Sequence, residues 1–228
     1  MSDNLSPYSA HEYDEGLRKT IPYYQNIYSE TVDLVKHVQP GVRNWLDTGC
    51  GTGNMVKEAF RSFRGVRYLI ADPSQQMIMQ SRLSLGGIPQ TQLLVVGAMG
   101  TEELDLTGFP CPQVITASLS HHYFDKAQRL NATQNCYDML DDEGVYITFE
   151  NILPNTGQGK EIALQRWMAY QVSQGKTEEE ASEHIQRYGS AFFPITVDEH
   201  LEILKNAGFR AAELFWLSHL QAGFYAIK

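Results

Sequence analysis

The stretch Leu46-Asp47-Thr48-Gly49-Cys50-Gly51-Thr52-Gly53-Asn54 decides the fold. A short apolar run leads into it, a helix-forming run leaves it, and Gly49, Gly51 and Gly53 alternate between them. Glycines at such a turn let the backbone bend sharply and let a ligand come against main-chain N–H groups at a helix start. The spacing is G-x-G-x-G. A nicotinamide fingerprint needs two residues before its third glycine, and Asn54 stands where that glycine would be. A phosphate-cradling loop would end in Gly-Lys-Ser/Thr, which this stretch lacks. Asp47 places a carboxylate two positions before the first glycine. That charge suits a ligand bearing an ammonium or sulfonium better than one bearing a pyrophosphate.

Outward from the loop, 43–47 reads as the first strand and 54–63 as the helix after it. Apolar strands at 65–71, 91–96, 113–117 and 144–150 alternate with helices at 73–85 and 127–140. Upstream, 21–37 reads as one helix closed by Pro40-Gly41, and residues 1–20 are polar and mixed. Downstream, a helix at 197–207 stops at Gly208. Two strand-like runs, 212–217 and 222–227, then form a closing hairpin. The expected architecture is α/β: a Rossmann-like, doubly wound, seven-stranded sheet with an antiparallel last strand. An insertion at 155–195, with one or two helices (160–174, 177–188), follows a strand's C-terminal end, the edge where such sheets bind ligands. It reads as a helical lid. One domain is expected over 1–228: N-terminal lid and helix (1–39), cofactor-binding core (40–154), lid insertion (155–196), and closing helix with hairpin (197–228).

The composition excludes several classes. With 18 Lys+Arg against 27 Asp+Glu, the net charge of −9 opposes a grip on bulk nucleic acid, which needs a basic footprint. No apolar run approaches the roughly 20 residues of a membrane span, and no signal peptide is visible at the N-terminus. The 3 cysteines form neither a disulfide framework nor a zinc pattern, so no metal site is expected and the chain reads as cytoplasmic.

An acid ends the second strand, in Ala71-Asp72-Pro73-Ser74, at the offset from the glycine loop where such folds hold ribose hydroxyls. LDTGCGTGN, Asp72, VVGAMGTEEL after strand three and ITASLSHHYFD around strand four together resemble the class I S-adenosylmethionine-dependent methyltransferases. YDEGLRKTIPYYQNIY, the FENILP region and DEHLEILKNAGFRAAELFW extend the likeness, over nearly the whole chain, to the carboxy-S-adenosylmethionine synthase family and its related methyltransferases. The resemblance implies S-adenosyl-L-methionine as cofactor and S-adenosyl-L-homocysteine as product. It implies that Gly49, Cys50, Gly51 and Gly53 line the methionine end, with Asp47 supporting the amino group. Asp72 would take the ribose and Pro73 lie beside the adenine. Ala98 stands where the family usually has an Asp, which leaves the backbone N–H of Ala98 or Met99 for the adenine. Ala117 and Ser118 would pass the methionine portion, and Tyr24 would face the sulfonium.

Methyl transfer needs alignment of the acceptor and, in some cases, removal of its proton. His121 and His122, with Tyr123 beside them, are the candidate catalytic residues, because a histidine titrates near neutrality. Tyr8, His11 and Tyr13 in the arm, and Trp167, Tyr170, His184, Arg187 and Tyr188 in the insertion, are candidates to close over substrate. Arg187 lies near the place where the synthase has an arginine for the added carboxylate. The synthase's glycine loop and its Asn after strand four are replaced here by GCGTG and Ala117. Methyl transfer to a small-molecule acceptor is therefore the leading expectation. Cofactor carboxylation and a non-catalytic cofactor-binding adaptor are the alternatives. The lid's aromatic helix would either cover substrate or face a second subunit of a homodimer.

Overall fold

The computed structural model describes residues 6–228. Its strands are β1 (Asn44–Thr48), β2 (Arg67–Ala71), β3 (Leu93–Gly97), β4 (Val114–Ser118), β5 (Val145–Asn151), β6 (Ala211–Ser218) and β7 (Gln221–Ile227). Its helices are α1 (Tyr13–Thr20), α2 (Tyr24–Val38), α3 (Asn54–Ser62), α4 (Gln75–Ser84), α5 (Lys126–Met139), α6 (Gly157–Ser173), α7 (Glu178–Gln186) and α8 (Val197–Asn206). They build one seven-stranded sheet of order β3-β2-β1-β4-β5-β7-β6. The first five strands are parallel, and β7 enters antiparallel between β5 and β6. This is the expected Rossmann-like fold. The chain reverses its direction of winding between β1 and β4, and that switch point places the ligand crevice.

Apolar side chains on the two sheet faces form two clusters, one around Trp45, Tyr68, Ile147 and Phe149, the other around Leu46, Leu69, Tyr146 and Phe224. Every residue of β1 and β5 is buried, so Asp47, Glu150 and Asn151 lie in a low-dielectric interior. No helix among the described residues is long and apolar enough to cross a membrane.

Two boundaries differ from expectation. The segment read as one helix over 21–37 is α2, which begins at Tyr24, and α1 lies within the polar, mixed stretch 1–20, to which the sequence pattern assigns no element. Proline disfavours helical backbone at the residue before it, and Ile21, ahead of Pro22, is extended at φ −100°, ψ 115°. The chain therefore turns between α1 and α2, and α1 folds back over the sheet edge. The insertion does hold two helices. Thr156 caps α6 and Thr177 makes a capping box with Glu180 at α7. A bridge between Ile152 and Ile195 closes the base of the insertion.

Candidate functional site

Gly49, Gly51 and Gly53 adopt φ values of +63°, +53° and +85°, the left-handed region in which a side chain is strained. A Cβ on Gly49 would stand 2.6 Å from Ser120 Cβ, so the loop also needs glycine for its contact with the β4 turn. The Gly51 N–H donates to Asp72 Oδ2 at 2.9 Å and the Ser74 N–H to Asp72 Oδ1 at 2.9 Å. Asp72 is thereby fixed at the tip of β2, against the loop.

Asp47 is the exception to this saturation. Thr116 Oγ1 donates to its Oδ1 at 2.7 Å, while Oδ2, buried, has no hydrogen-bond partner. Burial raises the carboxyl to about 7; the Thr116 bond opposes that and the charge of Asp72 adds to it. Ser118 Oγ, Ser120 Oγ and Glu102 Oε2 are likewise buried without a partner. Buried polar atoms are nearly always hydrogen-bonded. Orphans on the walls of one crevice mark a place built for a polar ligand.

The crevice has three parts. A cleft of about 310 Å³ runs between Asp72, Pro73 and Met77 on one side and Glu102, Ser120 and Tyr123 on the other. A narrow extension of about 20 Å³ passes Asp47, Gly49, Cys50 and Ser118 to end at Tyr24 and Tyr28. A third space of about 20 Å³ lies under the lid, between Tyr8, Leu119, His122, Trp167, His184 and Phe192. Tyr13 borders all three.

Most of the expected cofactor residues meet here: Tyr24, Asp47, Gly49, Cys50, Gly51, Asp72, Pro73 and Ser118. Burial pushes the Cys50 thiol well above its usual range, so it is a neutral wall. Gly53 packs instead under Leu85, where a Cβ would meet Cδ1 at 2.9 Å. Ala117 is wholly buried in β4. Ala98 and Met99 are exposed, and Gly100, Thr101 and Glu102 form the wall after β3 in their place.

The histidine pair divides. His121 is buried on the far side of its turn, Nε2 3.1 Å from Thr101 Oγ1 and Nδ1 3.1 Å from the Tyr146 hydroxyl, with its ring stacked on Phe124. Burial lowers its pKa to about 4, partly offset by Glu150. Neutral, bonded at both nitrogens and absent from the cleft walls, His121 is a structural residue. His122 faces the space under the lid, and its Nδ1 lies 3.2 Å from Glu150 Oε2. Glu150 also accepts from Thr148 Oγ1 at 2.7 Å and from the His121 N–H at 3.3 Å. Burial acts to raise Glu150, but the hydrogen bond and charge of His122, helped by His121 and His200, bring it down to about 2. Tyr123 joins the cleft and the lid space, its ring 4.5 Å from that of His122.

The lid residues also divide. Tyr13 is a wall of the cleft, against Gly51, where a Cβ would lie 3.5 Å from its ring. Trp167, fully buried, donates from Nε1 to the Thr20 carbonyl at 2.7 Å and packs on His184 and Phe192. Tyr188 donates to the Ile152 carbonyl at 2.7 Å, and Tyr170 lies against the end of α1; both hold the lid and neither faces the cavities. Arg187 is half-buried, and its charge acts on Tyr123 and His184. His11 is exposed. Glu150 was legible only as the end of an apolar strand. Asp14, which accepts from Thr52 Oγ1 and Asn54 Nδ2 at 2.7 Å each, was one polar residue among many.

A parallel-to-antiparallel sheet of this order, with a ligand-binding glycine loop after β1 and an acid at the end of β2, defines the class I methyltransferase architecture. Residues 46–146 match the methyltransferase-domain family. A carboxy-S-adenosyl-L-methionine synthase from Nautilia profundicola is 22% identical over 95% of this chain and 90% of its own length. Another from Staphylococcus epidermidis is 22% identical over 98% and 95%. Among solved structures, an O-methyltransferase family protein from Burkholderia thailandensis superposes with a TM-score of 0.65 at 11% identity over 96% of the chain. Human N-acetylserotonin methyltransferase, solved in complex with SAM, gives 0.60 at 13% over 95%. The chain spans 59% and 57% of the lengths of those two structures. Residues 46–146 thus match a methyltransferase domain, and the curated relatives to which nearly the whole chain is similar are carboxy-S-adenosylmethionine synthases.

Proposed function

We propose that the protein transfers the methyl group of S-adenosylmethionine to a small-molecule acceptor held under the lid, with His122 as the general base. The observation that carries this reading is the orphaned Asp47 Oδ2 in a cleft that continues, past Tyr13 and Leu119, to His122. A buried carboxylate oxygen without a partner fits the ammonium of a methionine moiety. The main-chain N–H groups of the glycine loop fit its carboxylate. Asp72 and Pro73 fit a nucleoside at the other end of the cleft. When bound, the cofactor supplies the electrophilic methyl group.

The residues of the chain do the remainder. Glu150 holds His122 Nδ1, so in the neutral ring Nε2 carries the lone pair and is the atom that takes a proton. Leu119, Trp167 and Phe192 keep water from the acceptor side. Isothermal calorimetry tests the cofactor half of the reading: micromolar-range binding of S-adenosylmethionine and its demethylated product is expected, and no binding of either would overturn it. The curated relatives favour a second reading, modification of the cofactor itself into its carboxylated form. Mass spectrometry of the ligand that co-purifies separates the two, because a carboxylated cofactor has a distinct mass.

A further inference from the structure

Behind Glu150, on the side away from the lid, lies a cavity of about 10 Å³. Its walls come from three elements: Arg129 and Thr133 on α5, Tyr146 and Glu150 on β5, and His200 on α8, with His121 closing the top. Among the fully buried side-chain polar atoms of its lining residues, one has no partner. Arg129 donates to the carbonyls of His121 and Phe193, at 3.2 Å and 2.6 Å from Nη2. His121 is bonded at both ring nitrogens. His200 Nε2 is buried and has no partner, although its ring is held in place by stacking on Phe224 at 4.7 Å. A buried polar atom left unpaired is destabilising, so a partner for it is expected. A polar cavity needs about 10–15 Å³ to hold one water, and it must offer that water two or more partners.

We propose that His200 is a positioning residue for the His122–Glu150 pair, acting through a single internal water that bridges His200 Nε2 and the Glu150 carboxylate. The bridge explains why a histidine stands in α8 where an apolar residue would pack as well against Phe224. It gives the carboxylate a further hydrogen bond, opposite the one it makes to His122, and so fixes the oxygen that sets the orientation of the imidazole. Either tautomer of His200 serves, since water can donate to Nε2 or accept from it. The charged and titratable groups facing this pair are His121, Arg129, Tyr146, His200 and, at the start of α8, Glu199 on the cavity side, and Tyr123 and His184 on the lid side. His121, Arg129, Tyr146 and Glu199 do not line the lid space, so the hydrogen-bonded route from His200 to His122 runs through Glu150. The inference rests on His122 being the base, but its test does not need turnover.

The experiment is nuclear magnetic resonance of the ¹⁵N-histidine-labelled full chain, wild type against H200F and H200Q. In the wild type, a water-selective experiment should show a bound water against the His200 ring, and the His122 Nδ1–H signal should exchange slowly. H200F should accelerate that exchange at least fivefold, whereas H200Q, which can still reach the water, should restore slow exchange. A purely structural role predicts a lowered melting temperature with unchanged His122 Nδ1–H exchange, and that result would overturn the proposal. So would the absence of a bound water at His200. If H200F does not fold, His200→Asn, too short to reach the cavity, replaces it with the same expectation. A wild type that shows the slow His122 proton yet transfers no methyl group would remove the functional reading and leave this one standing.

Discussion

At the scale of single residues, Asp47 carries the most testable chemistry. Its folded-state pKa of about 7 lies above the 3.8 of a free carboxyl. Between those values the folded chain keeps a proton that the unfolded chain has released. The contribution of Asp47 to stability is therefore full below about pH 4 and falls as pH rises toward 7. Asp47→Asn has no proton to lose. In the ligand-free protein it should gain on wild type with rising pH, reaching on the order of 4 kcal/mol at pH 8 at 1.36 kcal/mol per unit. Urea unfolding of both proteins at pH 4 and pH 8 measures this; the depressed pKa values of His121 and His200, near 4, affect both proteins alike and cancel in the difference. The same substitution removes the charge proposed to meet the methionine ammonium. It should weaken cofactor binding roughly 10- to 100-fold, the worth of a charge-assisted hydrogen bond. His122→Ala should leave that affinity within a factor of about two while lowering methyl transfer by about 10²–10⁴. Calorimetry and turnover on the two variants would refute the assignment if the losses were exchanged.

At the scale of elements, the lid stands on a few long contacts. Trp167 ties α6 to the end of α1 through the Thr20 carbonyl, Lys176 donates to Thr20 Oγ1 at 2.8 Å, and the Tyr8 hydroxyl lies 2.5 Å from the same oxygen. Thr20 is thus the point where arm, α6 and the α6–α7 turn meet. Trp167→Ala removes a fully buried indole and its hydrogen bond, at a cost of about 3–5 kcal/mol. The loss should be local. Hydrogen exchange should accelerate through α1, α6 and α7, while β1, β4 and β5 retain their protection. Uniform acceleration across the sheet would show that the lid is not a separable layer. At the other end of α1, Asp14 clasps Thr52 and Asn54. Asp14→Ala should therefore loosen the arm and the glycine loop together.

At the scale of the molecule, these contacts close the cleft over its methionine end, where only about 20 Å³ remains between Asp47 and the rings of Tyr24 and Tyr28. A methionine moiety is larger than that, and the expected outcome is that the arm swings out before the cofactor enters. Stopped-flow binding should consequently saturate with cofactor concentration, as expected when opening limits the rate, and residues 13–24 should gain hydrogen-exchange protection in the complex. A rate that stays linear into the millimolar range would indicate a cleft already open.

The topology, the glycine loop, Asp47, Asp72 and the two lid helices were legible in the sequence. They follow from apolar alternation, turn chemistry and capping, all of which act within a dozen residues. The misread start of α2 shows the limit: Pro22 was visible, but nothing local showed that the residues before it would fold back as α1 against a helix far along the chain. The tertiary structure alone decided which histidine faces the space under the lid, because His121 and His122 are adjacent and chemically identical. Glu150, 28 residues beyond His122, selects between them by bonding the second. It also decided how the lid closes, through a Trp167–Thr20 bond spanning 147 residues. Local physics writes the secondary structure and the ligand loop into the sequence. The pairing of buried polar groups depends on which distant elements the core brings together, and only the packed chain contains that information.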